Sequence, residues 1–378
     1  QRDNILIPLH KTLLSTFITV LLLINASSLA QSDEKGLGQT DDGFYFDVDE
    51  IKFPEPKLLR PEFHGNISLG APFSEGLDES EKGSSKVSDQ TEITLWTGVQ
   101  IFRNLSFVTE LEIEDGFEVY EFERCALDWN VFNDKCIFRI GKFYYPFGIE
   151  RIVENAVNNK LIDRPNPSIK IIPGTYSDEG LELYGNVPFL YKTRLQYEFA
   201  VTNGLSSFEG KGEQHLDDNN DDISLGGRLG IEILPDLEIG GSYTTGEYDD
   251  DEKFRMDFVG VDALFRRGGF EMRGEYIRSN VERSTDAGGS FDREGYYIQS
   301  SYKLLPDINY IEHIEFVGRF DSIDPDDLVT DEGDMDRIAV GINLSPSHHF
   351  IFKLQYEMEN EATEDKENKG FVQMNIRW

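Results

Sequence analysis

Past residue 30 the chain has no run of about 20 apolar residues, the length a helix needs to cross a bilayer. Any membrane crossing beyond that point must therefore use strands. Cysteine is nearly absent: Cys125 and Cys136 are the only two, too few for a disulfide scaffold. They flank the turn WNVFND (129–134), so a bridge across a hairpin and two free thiols are both open. Positive charge is scarce. With 36 Lys and Arg against 71 Asp and Glu, the net charge of −35 excludes nucleic-acid binding through phosphates.

Histidine is scarce too, and His64, His215, His313, His348 and His349 accompany no Gly-x-Ser-x-Gly elbow, so no hydrolase signature is present. The run LDDNNDD (216–222) fails the EF-hand pattern. Counted from Asp217, Asp222 stands where that loop needs glycine and Arg228 where it needs glutamate. No enzyme activity, metal or cofactor is expected.

What is present begins with KTLLSTFITVLLLINASSLA (11–30), a basic residue, a short apolar stretch and a small-x-small site at Ser28-Leu29-Ala30, the outline of a signal peptide over 1–30. Cleavage after Ala30 would leave 348 residues and a net charge of −36, since the removed part holds Arg2, Lys11 and Asp3. Residues 31–60 form a short N-terminal periplasmic segment, too small for the plug of a gated importer.

From Pro61 onward a period of two recurs. FIFKLQYEM (350–358) sets Phe350, Phe352, Leu354, Tyr356 and Met358 against Lys353, Gln355 and Glu357, and FEMRGEY (270–276) sets Phe270, Met272 and Tyr276 against Glu271, Arg273 and Glu275. Sixteen strands are expected, near 62–71, 90–101, 104–114, 117–129, 135–147, 179–187, 193–203 and 222–233. The second eight fall near 237–247, 253–266, 269–280, 292–305, 311–321, 335–345, 349–358 and 369–378. Most have the length of about 9–11 residues that a tilted transmembrane strand needs.

The links alternate. One set is short, such as RN (103–104), LPD (234–236) and SPSHH (345–349). The other is mostly long and acidic: 74–90, 206–222, 247–253, 280–294, 321–336 and 357–369 together hold 34 acidic and 8 basic residues. Ionised residues on the polar face, aromatics at strand ends and this asymmetry favour a transmembrane antiparallel β-barrel over a soluble sandwich. The short turns would face the periplasm, and the long acidic loops would be extracellular. Trp378 ends the last strand, and that aromatic terminus resembles the signal that barrel-assembly machinery reads in outer-membrane proteins.

One long link is almost neutral. IERIVENAVNNKLIDRPNPSIKIIPGTYSDE (149–179) has five acidic and four basic residues beside several Ile, Leu and Val. Such a segment is built to pack, and folding into the lumen is the favoured reading, with a lid over the rim or a subunit contact as alternatives. Arg151, Lys160, Arg164 and Lys170 would then form a pore constriction, though some could pair with Glu150, Glu154 or Asp163. On the walls, Arg194, Arg228, Arg273, Arg319, Lys353, Glu110, Glu112, Glu198 and Glu275 take inward, pore-lining positions.

GKFYYPFGIER (141–151) followed by PGTYSDEGLELYG (173–185) resembles the phosphate-selective porin O and P family. The resemblance implies a barrel over 61–378 with the loop 149–178 folded inward, a homotrimer and a Gram-negative outer membrane. It also implies passive diffusion of small hydrophilic solutes or ions. Members of that family line the channel with lysines, whereas the inward positions here mix both signs. The partners expected are the lipid bilayer, lipopolysaccharide and the barrel-assembly machinery. A non-conducting barrel whose acidic loops serve adhesion is the alternative.

Overall fold

Alternating apolar and polar side chains cannot bury their apolar face along one isolated ribbon, so each ribbon pairs with its neighbours and turns that face outward as one continuous surface. The computed structural model describes residues 61–73, 91–114, 119–153, 158–172, 176–189, 193–204, 222–249, 253–284, 288–329, 333–361 and 367–378. The expected signal peptide, the segment 31–60 and the acidic links 74–90 and 205–221 lie outside them.

The strands are β1 (Pro61–Phe73), β2 (Glu92–Phe102), β3 (Leu105–Glu114), β4 (Val119–Asn130), β5 (Ile137–Tyr144), β6 (Ser177–Pro188), β7 (Arg194–Thr202) and β8 (Ser224–Leu234). They continue as β9 (Leu237–Glu247), β10 (Arg255–Arg267), β11 (Phe270–Val281), β12 (Phe291–Leu304), β13 (His313–Asp324), β14 (Met335–Ser347), β15 (Phe350–Glu361) and β16 (Glu367–Arg377). Each pairs antiparallel with its sequence neighbours, and β1 pairs with β16 from Asn66 opposite Arg377 to Phe73 opposite Gly370, closing the barrel. Closure leaves no edge strand, which lipid would not tolerate. The sixteen expected strands correspond to these one for one.

On β15 the side chains of Phe352, Leu354, Tyr356 and Met358 are exposed, while Lys353, Gln355 and Glu357 are buried inside. On β14 Ile338, Val340 and Ile342 look outward, and Arg337 and Asn343 inward. Several strands run further into the acidic segments than their alternation alone marked. β13 reaches Asp324 and β15 reaches Glu361, so residues 322–324 and 359–361 belong to strands rather than to loops.

The possible disulfide is corrected. Cys125 and Cys136 are free thiols, the first exposed and the second buried. The β4–β5 hairpin pairs Asn130 with Ile137 and Cys125 with Lys142, so it pivots three residues beyond the midpoint of the cysteines. Cys136 instead accepts the Val131 N–H through its carbonyl at 3.0 Å. Six rungs at about 3.3 Å per residue put the two near 20 Å apart, far beyond the reach of a bridge.

Among the described residues the inner wall carries an apolar sector. Met256, Phe258, Ile277, Val281, Phe291, Ile323 and Met335, from β10 to β14, form a buried cluster with Tyr145, Phe147, Ile171, Ile172 and Tyr176 of the β5–β6 connection. This sector marks where that connection lies.

Candidate functional site

The β5–β6 connection, Tyr145 to Tyr176, leaves the wall through a pinched neck. The Tyr145 N–H donates to the Tyr176 carbonyl at 2.8 Å, and the two rings are 5.2 Å apart. Gly148 then takes φ +64°, a conformation that favours glycine, and a Cβ there would lie 2.4 Å from the Glu275 carboxylate. That close approach lets the next two backbone N–H groups, of Ile149 and Glu150, donate to Glu275 Oε1, the second at 3.0 Å. The Gly148 N–H donates to Ser242 Oγ at 3.0 Å. A 3₁₀ turn, Glu150–Val153, follows.

Inside the barrel many polar groups of the described loop residues meet wall side chains. Glu150 accepts from the Tyr297 hydroxyl at 2.7 Å and sits 3.5 Å from Arg273. Arg151 pairs with Glu198 on β7. Lys160 Nζ reaches Ser301 at 2.7 Å, Glu315 at 2.8 Å and Glu271 at 3.2 Å, spanning β11 to β13. Gln355 Oε1 takes the N–H groups of Ile162 and Asp163 at 2.5 and 3.2 Å. Arg319 donates to the Asp163 carbonyl at 2.7 Å and, with Arg337, to that of Arg164. Asp321 accepts the Asn166 N–H at 3.1 Å, just before the one-turn helix Pro167–Lys170. Arg293 donates to the Lys170 carbonyl. Leu161 packs on Val317 and Ala339, and a Cβ at Gly341 would stand 2.6 Å from its methyl. A backbone buried away from water needs such partners, and here the wall supplies them from β9 to β15.

The four loop cations therefore differ in setting. Arg151 and Lys160 are held by carboxylates. Arg164 acts through its carbonyl, and Lys170 Nζ lies 3.7 Å from the Met335 sulfur. Among the wall residues, Arg228 is 2.6 Å from Asp262 and 2.8 Å from Glu238. Arg194 pairs with Glu232 at 2.8 Å on an exposed stretch. Glu110 pairs with Arg124 at 2.7 Å, Lys353 donates to the Asn159 carbonyl, and Glu112 lies buried opposite Glu121. Arg273, Arg319, Lys353, Glu198 and Glu275 share one task, holding the loop.

Sequence reasoning missed Gln355, Asp321, Arg337, Asn343 and Ser242 as loop contacts. Inward parity was the available signal for each. At the seam, the Trp378 N–H donates to the Gly65 carbonyl at 3.1 Å. His349 Nδ1 lies 2.9 Å from the Arg377 carbonyl, and His313 Nε2 lies 2.9 Å from Ser345 Oγ, so both imidazoles are tied to wall or turn groups.

A closed barrel with an apolar exterior, an ionised interior and a loop folded into the lumen defines a porin. Residues 190–376 match the model of the phosphate-selective porin O and P family, the family that 141–185 resembles, and the chain is a diffusion channel of the bacterial outer membrane. A curated relative, an uncharacterized protein of Aquifex aeolicus (strain VF5), is 23% identical, with 80% of this chain and 77% of that protein covered. Among solved structures, Salmonella typhi OmpF in complex with daunomycin shares the fold at TM-score 0.59 and 11% identity, over 84% of this chain and 97% of that one. The anion-selective porin from Comamonas acidovorans matches at TM-score 0.56 and 10% identity, over 85% and 100%. The trimer form of OmpT from Vibrio cholerae matches at TM-score 0.56 and 9% identity, over 85% and 100%.

Proposed function

We propose that the chain is a passive channel for small hydrophilic solutes or ions, narrowed by the loop between β5 and β6, and that it performs no covalent chemistry. The observation that carries this reading is the seating of the loop, whose N–H and carbonyl groups bond to side chains on β9, β11, β12, β13, β14 and β15. A lid on the rim would not need wall partners at that depth. Loops so placed set the width available to solutes, because a sixteen-stranded barrel is otherwise wide enough for an aqueous channel.

The partners follow from the same reading. The outward apolar band meets lipid, and the acidic rim meets the headgroups of lipopolysaccharide. Trp378 at the seam suits recognition by barrel-assembly machinery. A homotrimer is the assembly proposed, supported by the trimer form of the fold relative from Vibrio cholerae. The test is single-channel recording in planar bilayers with purified, folded protein. Discrete conductance steps are expected, and a bilayer that stays silent at high protein load would reject the channel.

A further inference from the structure

We infer that the turn between β12 and β13, residues 305–312, is a lipid anchor, seated in the headgroup boundary of the periplasmic leaflet by Leu305, Ile308 and Tyr310. Two-residue turns join β2 to β3 (Arg103-Asn104), β8 to β9 (Pro235-Asp236), β10 to β11 (Gly268-Gly269) and β14 to β15 (His348-His349). The β12–β13 turn instead runs on past its last rung, Leu304 opposite Ile314. It folds into a small tip in which the Ile311 N–H donates to the Ile308 carbonyl at 3.3 Å. Its two flanks are tied to the neighbouring strands. The Lys303 N–H donates to the Gly269 carbonyl and the Glu312 N–H to the Ser345 carbonyl, each at 2.8 Å. The tip between them therefore projects beyond the rim. There Leu305 is 78%, Ile308 54% and Tyr310 90% exposed. Tyr310 also takes φ +71°, a backbone conformation that is strained for a bulky residue. Nothing in a water-facing turn calls for either feature.

Two observations identify the occupant as lipid. The first is continuity with the lipid-facing band. That band ends on Tyr302 and Leu304 of β12 and on Phe316 of β13, all exposed on the outer face. At about 3.3 Å per residue, a tip one or two residues further down stays within the roughly 5–8 Å that headgroups add to each side of the hydrocarbon. An amphipathic tyrosine ring suits that boundary. The second is distribution around the rim. The longer turns after β4 and β6 also expose an aromatic ring, Phe132 and Phe189. In the closed order of sixteen strands, β5 and β13 stand eight apart, on opposite sides of the barrel. A protein partner or a second copy of the chain would cover one sector. A leaflet surrounds all three turns, and their tips fix the depth at which the barrel sits. The inference does not depend on whether the lumen conducts.

The experiment is fluorescence of Tyr310→Trp folded into phosphatidylcholine vesicles, read as the difference from the wild type. Arg103→Trp, in the two-residue turn between β2 and β3, is the control. The indole at 310 should lose about half or more of its emission to lipid brominated near the headgroup end of its chains. It should be nearly insensitive to aqueous iodide supplied on both sides of the membrane. The indole at 103 should show the reverse. Equal quenching by bromolipid at the two positions overturns the inference, because any indole on the rim would then behave alike. Quenching at 310 by iodide alone overturns it too. So does shielding at 310 from both quenchers, which would mean that protein covers the turn. Heat-modifiable mobility in gels reports whether Tyr310→Trp folds. Should it not fold, hydroxyl-radical oxidation of the wild type is measured in vesicles that hold one chain each. Oxidation of Tyr310 about fivefold or more slower than in the unfolded chain supports the inference, and oxidation at the unfolded rate overturns it.

Discussion

Trp378 closes the barrel on Gly65. The backbone N–H of each donates to the carbonyl of the other, at 3.1 and 3.2 Å, and the indole occupies the space where a side chain at 65 would stand, 2.2 Å from an ideal Cβ. The last residue of the chain thus needs a glycine on the first strand. Gly65→Val should displace the indole and lower stability by about 1–3 kcal/mol, the usual cost of overpacking. Trp378→Ala removes the ring and keeps the backbone bonds. The check is the folded fraction by heat-modifiable mobility, with Gly65→Val expected to lose more of it than a control such as Gly98→Val, where a Cβ meets nothing within 4 Å.

The outward face of β14 tests the lipid environment directly. Val340 lies near the middle of the strand, 48% exposed, between Gly318 on β13 and Tyr356 on β15. Val340→Arg places a charge at mid-bilayer and should cost about 2–4 kcal/mol. Val340→Leu should be nearly neutral. Equal stability of the two variants in urea titrations of vesicle-inserted protein would mean that this face does not meet hydrocarbon.

Lys160 is a three-way latch of the loop, since one ammonium serves Ser301, Glu271 and Glu315. Lys160→Ala takes the ammonium from Glu315, while Glu271 keeps Arg266 at 2.8 Å, and breaking such a pair costs about 3–5 kcal/mol where water stays excluded. Because the lumen is open to water, the loss should fall on the loop rather than the barrel. Noisier single-channel current and a larger mean conductance are expected. A variant with wild-type noise would show that Gln355, Arg319 and Asp321 hold the loop without it.

The two thiols give a chemical readout of the corrected hairpin. Cys136 lies in the turn after β4, where burial pushes its thiol upward from the ordinary range, so at a given pH less of it is the reactive thiolate. In folded protein, alkylation of Cys136 should be slow and should accelerate as pH rises. Denaturation should bring it level with an ordinary thiol. Mass spectrometry should find both cysteines reduced after aerobic purification, and a bridged peptide would contradict the register of β4 with β5.

Period-two alternation was enough to count the strands and place their faces because lipid outside and water inside impose opposite demands on adjacent residues. The seating of the loop was only half legible. Its neutral charge and its Ile and Leu content marked it as a packing segment. The complementary signal was Met256, Phe258, Ile277 and Val281, apolar residues at inward positions that break the alternation. The anchors on Asp163 and Arg164 left no trace in sequence, because they act on backbone carbonyls that every residue carries. The hairpin with the cysteines misled for a different reason. Gly141 sits at φ +128° and the β3–β4 register shifts at Glu110, so the simple parity of side chains does not run through that region.

Removing the loop tests what narrows the channel. Deletion of 155–170 takes away Lys160, Leu161 and the carbonyls that Arg319 and Arg337 hold. The wall charges left behind regain water from the widened lumen, so the barrel itself should persist, with its lipid-facing band and its β1–β16 seam intact. Single-channel conductance should then rise by about twofold or more, toward that of an unobstructed sixteen-stranded barrel. A deletion variant that is folded by heat-modifiable mobility and conducts like the wild type would place the narrowest point elsewhere.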